Sequence, residues 1–413
     1  MTAAQQTDGT LGKAHPAAPA RAPSLVALIL LLGVGPFATD AYIAALPELQ
    51  RSLPTSAAVA QLTLTAFIVG LAVGQLLLGP LSDAWGRRRM LLVGCALFAV
   101  ASVVCAVAPN GPVLVAARLA QGIVAGGGVA LGRATVTDTH RGDRAAATFG
   151  LITSVTFLGP VVAPAVGGLI LAHGTWRTVF AALAGLGVAM FVAVFLGIAE
   201  TLPAHRRQPA GLRQTGARLA DLAGDWSFMR HVALVGLAVG GFFVYIGGSS
   251  FVFQSAFAVS PSRYTIIFAT NAAAMAGAGL LFRMLVFRVG ALRLRTVGVT
   301  ASTLAALGLL AAALVDPARV PLAVPWALLC VVVGGMGFTM PATTALAQEA
   351  GRRSAGTAAA LQGGLSFLVG ALVTPLTGLL GYDTLLPMAA SMAFFFVAAS
   401  VLLWAISRPH PST

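Results

Sequence analysis

Apolar residues fall in twelve long runs separated by short polar breaks. The runs cover residues 24–46, 57–78, 90–108, 113–137, 145–172 and 178–199, then 231–255, 264–287, 294–315, 322–347, 354–380 and 384–406. Each is close to the roughly 20 residues a helix needs to cross the hydrocarbon of a bilayer, so twelve spans are predicted. Gly and Pro inside the runs do not argue against helix, because membrane helices tolerate both. The longest polar stretch, 200–230, divides the spans six and six. The pattern therefore reads as an N-terminal bundle over 24–199, a linker over 200–230 and a C-terminal bundle over 231–406. Residues 1–23, polar and rich in Ala and Pro, read as a disordered tail, and 407–413 as a short second tail. The first run lacks a clean cleavage site and is followed by many others, so it reads as a retained helix.

Composition agrees with a lipid solvent. Of the 413 residues 58% are hydrophobic and only 9% charged, against about 25% charged in a soluble domain. The net charge of +13 would suggest nucleic acid in a soluble protein. Here the basic residues sit between apolar runs in clusters too short and separate to form a patch. Of the 25 Lys and Arg, nineteen lie beyond or at the ends of the predicted spans on one side, four on the other, and two, Arg118 and Arg133, deeper within a span. Positive charge marks the cytoplasmic side, so both termini and the linker are expected there. A lone lysine, Lys13, among so many arginines suggests GC-rich bacterial coding, and hence a bacterial inner membrane. Cys95, Cys105 and Cys330 all lie in apolar runs, and their odd number argues against a disulfide framework. The chain carries no phosphate-binding loop, metal-ligand cluster or hydrolase nucleophile elbow. It reads as a transporter and not an enzyme, with no metal, no cofactor and no use of ATP by this chain alone.

The two halves resemble each other. Gly86-Arg-Arg-Arg-Met-Leu-Leu-Val-Gly94 after span 2 has a counterpart after span 8 in Gly290-Ala-Leu-Arg-Leu-Arg-Thr-Val-Gly298. Span 5 opens after Asp143-Arg144 and span 11 after Arg352-Arg353. Six-span repeats of this kind are a common way to build transporters.

The loop between spans 2 and 3 reads Gly79-Pro-Leu-Ser-Asp83-Ala-Trp-Gly86-Arg87-Arg88-Arg89. Its glycines permit a tight turn with positive φ. Asp83 can accept from helix-start amides or pair with an arginine. This segment resembles the signature loop of the major facilitator superfamily, with Ala84 where that pattern has an arginine. The resemblance implies that Gly79, Asp83, Gly86, Arg87 and Arg88 form a cytoplasmic gate that locks while the other side is open. In span 5, Gly150, Gly159, Ala163, Pro164, Gly167 and Gly168 are spaced as in the antiporter motif of that superfamily's drug exporters, with Ala163 replacing a glycine. Small residues give a smooth face for close helix packing, and Pro164 removes a backbone donor.

Span 4 holds Arg118 with Gln121-Gly122, similar to a superfamily motif tied to proton coupling in drug antiporters. Further along come Gly132-Arg133-Ala134 and Asp138, like the segment that follows this motif in chloramphenicol-resistance exporters. Arginine within a membrane is costly and usually functional. Arg133, nearer the cytoplasm, either serves the pathway or snorkels to the surface. Span 1 ends Phe37-Ala-Thr-Asp40-Ala-Tyr42-Ile-Ala-Ala-Leu-Pro47, similar to a segment of bicyclomycin and chloramphenicol exporters. Asp40 is the acid deepest in any predicted span, about 9 Å from the periplasmic end. Arg118 has a similar depth, so an Asp40–Arg118 pair that switches protonation is expected. The bland alternative is that Asp40 only caps the end of span 1.

Phe242, Phe243, Tyr245, Phe251, Phe253, Gln254 and Asn271 on spans 7 and 8 suit a drug-sized, largely neutral ligand, although such aromatics also serve as lipid contacts. Met336 on span 10 joins Tyr42, Gln121 and Arg133 as a candidate cavity residue. Together the motifs resemble the twelve-span drug:proton antiporters of the bicyclomycin/chloramphenicol-resistance type. The resemblance implies an all-α fold of two six-helix bundles around a cavity lined by spans 1, 4, 7 and 10. It also implies a monomer in the lipid bilayer, a small-molecule substrate, the proton as coupling ion, and efflux by alternating access. An exporter or facilitator of an endogenous metabolite or natural product is the alternative.

Overall fold

The computed structural model describes residues 23–407 except 44, 46–47, 50–51, 54–56, 209–211, 316–319 and 380–383. Nearly all of both expected tails lies outside the described residues, as does the side chain of Phe251. Among the described residues there are twelve long α-helices. The first six are α1 (Leu25–Ile43), α2 (Ala57–Trp85), α3 (Arg87–Ala106), α4 (Gly111–Thr139), α5 (Gly142–His173) and α6 (Trp176–Gly197). After the linker helix α7 (Leu212–Gly224) come α8 (Trp226–Ser255), α9 (Pro261–Val289), α10 (Ala291–Ala313), α11 (Ala323–Ala350), α12 (Ala355–Leu379) and α13 (Leu386–Ser407). Each long helix coincides with one apolar run.

Their ends follow local chemistry. The Asn110 side chain accepts from the Val113 amide and Pro112 lies in the first turn of α4. Ser260 caps α9 ahead of Pro261, and Asp225 caps α8 through the Ser227 amide. Such side chains satisfy amides that have no partner within the helix. The Asp225 cap also corrects the linker boundary. Residues 226–230 are the first turn of span 7, and the linker contains a 3₁₀ turn (Ala204–Arg206) and α7. Gly86 and Gly290 both break the chain between helices at positive φ, +92° and +86°, so the repeated sequence marks a repeated turn.

Several helices run past the end of their apolar run on the arginine-rich side. α2 extends beyond residue 78 to include Asp83, and α4 beyond 137 to include Asp138. Both carboxylates are buried and bonded to Arg87, so these polar turns pack against neighbouring helices instead of fraying into water. Outward faces are apolar, with Leu196 75%, Met284 72% and Phe394 68% exposed, as a lipid-facing surface requires.

Within the first half, α2 and α4 meet backbone to backbone. A Cβ on Gly122 or Gly126 would strike the carbonyl of Phe67 or Leu71, and one on Gly74 the carbonyl of Ile123. Small residues at a crossing allow this approach. The core of the first half continues into Phe282, Val286, Leu294, Ala342, Ala345 and Ala359 of the second. All six lie toward the arginine-rich ends of α9, α10, α11 and α12. The remainder of the second half has its own core around Met275, Val332, Met392 and Phe396. The halves are thus fused at the arginine-rich end and separate cores elsewhere.

Candidate functional site: a central cavity and a lock at one end

A cavity of about 330 Å³ lies between the halves. Its walls come from α1 (Leu32, Gly35, Pro36), α2 (Leu71), α4 (Val129, Arg133), α5 (Phe149, Ile152, Thr153, Thr156), α8 (Val235, Val239, Phe242, Phe243), α11 (Met336, Met340, Thr344) and α12 (Gln362, Ser366). The four spans expected around a cavity all contribute, together with spans 2, 5 and 11. Most of the wall is apolar, and the volume is at the lower end of drug-sized sites.

Of the side chains expected near substrate, Arg133, Phe242, Phe243 and Met336 line this space. Tyr42, Gln121, Tyr245, Phe253, Gln254 and Asn271 are not among its lining residues. Tyr42 is buried with its hydroxyl on Thr63 at 2.7 Å. Gln121 is buried and donates to Ser102 at 2.7 Å. Tyr245 accepts from the amide of Asn271 at 3.1 Å inside the second half, beside a smaller pocket with Phe268 and Met275. Gln254 bonds to Ser250 of its own helix. Motif and composition did not point to Gln362, Ser366, Thr153, Thr156 or Thr344. The available signal was a polar residue inside an apolar run, and most clearly a glutamine.

The expected Asp40–Arg118 pair is not made. Arg118 is fully buried within the first half, its guanidinium 4.2 Å from the ring centre of Phe67, 4.9 Å from Tyr42 and 5.6 Å from Phe180. It donates to the Gln121 side chain at 2.7 Å and to the carbonyls of Ala38 and Thr63 at 3.2 and 3.4 Å. Asp40 is half-buried and takes one side-chain hydrogen bond, from Thr39 at 2.9 Å. Equal depth did not bring them together because Asp40 faces another side of α1 from the Ala38 carbonyl that Arg118 reaches. What was expected to be a coupling cation is bound by three rings, two carbonyls and an amide. Asp40 has no cationic partner among the described residues.

At the arginine-rich end the halves are bonded together. The Asp83 carboxylate accepts from the amides of Gly356 (3.1 Å) and Thr357 (3.0 Å), from the Thr357 hydroxyl (2.8 Å), and from Arg87 (2.6 Å). An acid of α2 therefore caps the start of α12 in the other half, where the helix dipole favours negative charge. Gly79 and Gly356 permit this, because a Cβ on either would collide with the other's carbonyl. Arg87 spans Asp83 and Asp138, at 3.1 Å from the latter, and also bonds Ser82; Thr201 donates to Asp138 at 3.1 Å. Arg88 is turned outward to the Phe195 carbonyl at 2.8 Å. Arg352 of the second half reaches the carbonyls of Thr137 and His140. Burial pushes the His140 imidazole below its ordinary value, which keeps it neutral beside these arginines. The Asp143 carboxylate accepts from the Ala291 amide at 3.1 Å and so caps α10 from the first half.

The small residues of span 5 serve two faces. A Cβ on Gly150 would stand 2.9 Å from the Phe282 ring and 3.2 Å from the Gly279 carbonyl, on α9 of the other half. One on Gly159 would lie 2.7 Å from Pro36, and one on Gly167 would strike the Ala41 backbone, both on α1. Ala163, between them on the same stripe, is fully buried, so the single methyl that departs from the motif fits. Gly168 has open space around it, and Pro164 is exposed. These two motif positions are not part of the close packing.

The fold is shared with solved transporters. The human organic anion transporter MFSD10 superposes with a TM-score of 0.74 at 18% identity, covering 92% of this chain and 98% of that one. FucP in its outward conformation gives 0.74 at 14% identity, covering 93% and 99%. At such identities the likeness concerns the fold alone. In sequence the chain is 35% identical over 389 residues to the uncharacterized MFS-type transporter YdgK of Bacillus subtilis, covering 93% of this chain and 96% of the relative. It is 29% identical over 368 residues to a bicyclomycin resistance protein homolog of Haemophilus influenzae, covering 88% and 92%. Residues 28–375 match the Major Facilitator Superfamily as a family. With twelve long helices in two halves around one cavity, the chain is a membrane transporter that belongs to the major facilitator superfamily.

Proposed function

We propose that this transporter exports small drug-like molecules from a bacterial cell across the plasma membrane, in exchange for protons, by alternating access. The observation that carries the reading is one geometry. A mainly apolar cavity lies between two halves that are bonded to each other at one end through Asp83, Gly356 and Thr357. Moving the halves about such a cavity exposes it to one side or the other.

The distribution of arginine supports a cytoplasmic position for the lock, both termini and the linker. On that orientation the halves are closed toward the cytoplasm. Release of Asp83 from the start of α12 would let α2 and α12 part and admit substrate from within. The packing of α5 on α1, like the antiporter motif it resembles, supports exchange. Efflux as the direction draws support from the bicyclomycin resistance homolog. Asp40 is the candidate proton carrier, since an acid within a membrane helix is functional by default and no arginine among the described residues pairs with it.

The test is expression in an efflux-deficient bacterium, scored for resistance to chloramphenicol, florfenicol and bicyclomycin. In parallel, drug uptake into inverted vesicles is measured with and without a proton gradient. Resistance to at least one drug, with uptake collapsed by a protonophore, is expected. Resistance without gradient dependence would remove the proton. Neither resistance nor flux would overturn drug export.

A further inference from the structure

The cavity carries a cation that nothing among the described residues neutralises. Arg133 projects from α4 into the wall. Its guanidinium makes no hydrogen bond or ion pair with any described residue, and no charged group stands near it. No Asp or Glu is among the residues lining the cavity. Beside Arg133 stands a second unmet polar group. Gln75 of α2 is fully buried, and neither its amide nitrogen nor its oxygen has a hydrogen-bond partner. The two meet at Gly363 of α12, where a Cβ would stand 2.8 Å from Arg133 Nη1 and closer still to Gln75 Oε1. The missing side chain at Gly363 is what leaves room for both. Gln362, next to Gly363, and Ser366, one turn further along α12, add polar groups to the cavity wall, and the Gln362 amide donates to the Thr344 hydroxyl of α11.

Leaving a buried amide without partners is costly, and an unneutralised arginine in a membrane is costlier still. Neither is explained by packing, since an apolar residue would fill the same space. The cation is explained by an absent third party. A carboxylate in the cavity can accept two hydrogen bonds from the guanidinium fork, and the Gln75 amide lies behind that fork, outside the cavity wall. The aromatic and aliphatic remainder of the wall, including Phe149, Phe242, Phe243 and Met336, then takes an apolar body.

We propose that Arg133 forms an anion subsite in the cavity wall, with Gln75 behind it, and that the preferred cargo is a small amphipathic monoanion, an aromatic or aliphatic body carrying a carboxylate. The inference rests on reading the cavity as the substrate site, and it narrows the cargo of the proposed efflux. A cationic drug would be repelled from the same place.

The test uses the purified full-length chain in zwitterionic nanodiscs at pH 7.5, with no proton gradient. The probes are 4-phenylbutyrate, its neutral amide and 4-phenylbutylamine, which share a body and differ in charge. Binding is read by thermal stabilisation across a concentration series. The wild-type protein should prefer the acid over the amide on the order of tenfold to a hundredfold, and should not bind the amine. Arg133→Gln should abolish the preference, Arg133→Lys should keep part of it, and Gln75→Leu should weaken the acid alone. The acid–amide comparison needs only the wild-type protein, so a misfolded variant does not block it. Equal binding of acid and amide, no binding of the acid, or an unchanged preference in folded Arg133→Gln would each overturn the subsite. Gradient-driven flux of neutral drugs without an acid preference would overturn this inference and leave drug export standing. Acid binding without drug flux or resistance would do the reverse.

Discussion

The hydroxyl and amide of Thr357, at the start of α12, both donate to one oxygen of Asp83 on α2, at 2.8 and 3.0 Å. One carboxylate thereby closes the boundary between two halves of the chain. The same group is held by Arg87, which is itself anchored on Asp138. Opening this end must separate an acid from a helix start to which both charge and geometry suit it.

Asp83→Asn keeps the size of the side chain and removes its charge and one of its two acceptor oxygens. Charge-assisted bonds contribute about 1.5–3 kcal/mol each, so the locked state should lose a tenfold to hundredfold advantage in population. Transport turnover should fall about tenfold or more, while substrate affinity changes little. Initial rates and equilibrium binding on the same preparation check this. Equal losses in both would argue against a gate.

Arg118→Lys should lower thermal stability, because an ammonium cannot lie against Phe67, Tyr42 and Phe180 and still reach Gln121, Ala38 and Thr63. Stranded buried acceptors cost about 1–3 kcal/mol each. The pH profile of the remaining transport should match wild type, since Arg118 has no contact with Asp40. A lower melting midpoint with an unmoved profile is the expected pair of results. A displaced optimum would mean that the two residues communicate.

Asp40→Asn removes the acid of α1 that has no cationic partner among the described residues. Gradient-driven accumulation in inverted vesicles should be lost. Exchange of internal for external drug, which moves no net proton, should continue. Accumulation that kept its wild-type dependence on pH would take Asp40 out of the mechanism.

Adjacent glycines of the span 5 motif should respond in opposite ways. Gly167→Ala drives a methyl into the backbone of Ala41, and overpacking of this kind costs typically 1–3 kcal/mol. Gly168→Ala meets nothing within 4 Å and should be neutral or slightly stabilising, since Ala is the better helix former. Thermal midpoints of the two variants settle whether the motif works through packing on α1. Equal effects would count against it.

The sequence by itself determined the twelve spans, their division into two halves and the repeated turns at Gly86 and Gly290. Each follows from the length of an apolar run, the position of a glycine or the spacing of arginines along one dimension. It also singled out Asp83, Arg87, Arg118 and Arg133, because a charge next to or inside an apolar run is too costly to be incidental. Partners were a different matter. Depth in a membrane can be counted from the chain, but the rotation of each helix about its axis cannot. That rotation sends Arg118 among the aromatic rings of its own half and leaves Asp40 facing elsewhere. It also brings Gln75 of α2, Arg133 of α4 and Gly363 of α12 to one point. Those three lie in separate helices of two halves, and no local pattern links them. Only the packing of the halves decides that their polar groups meet.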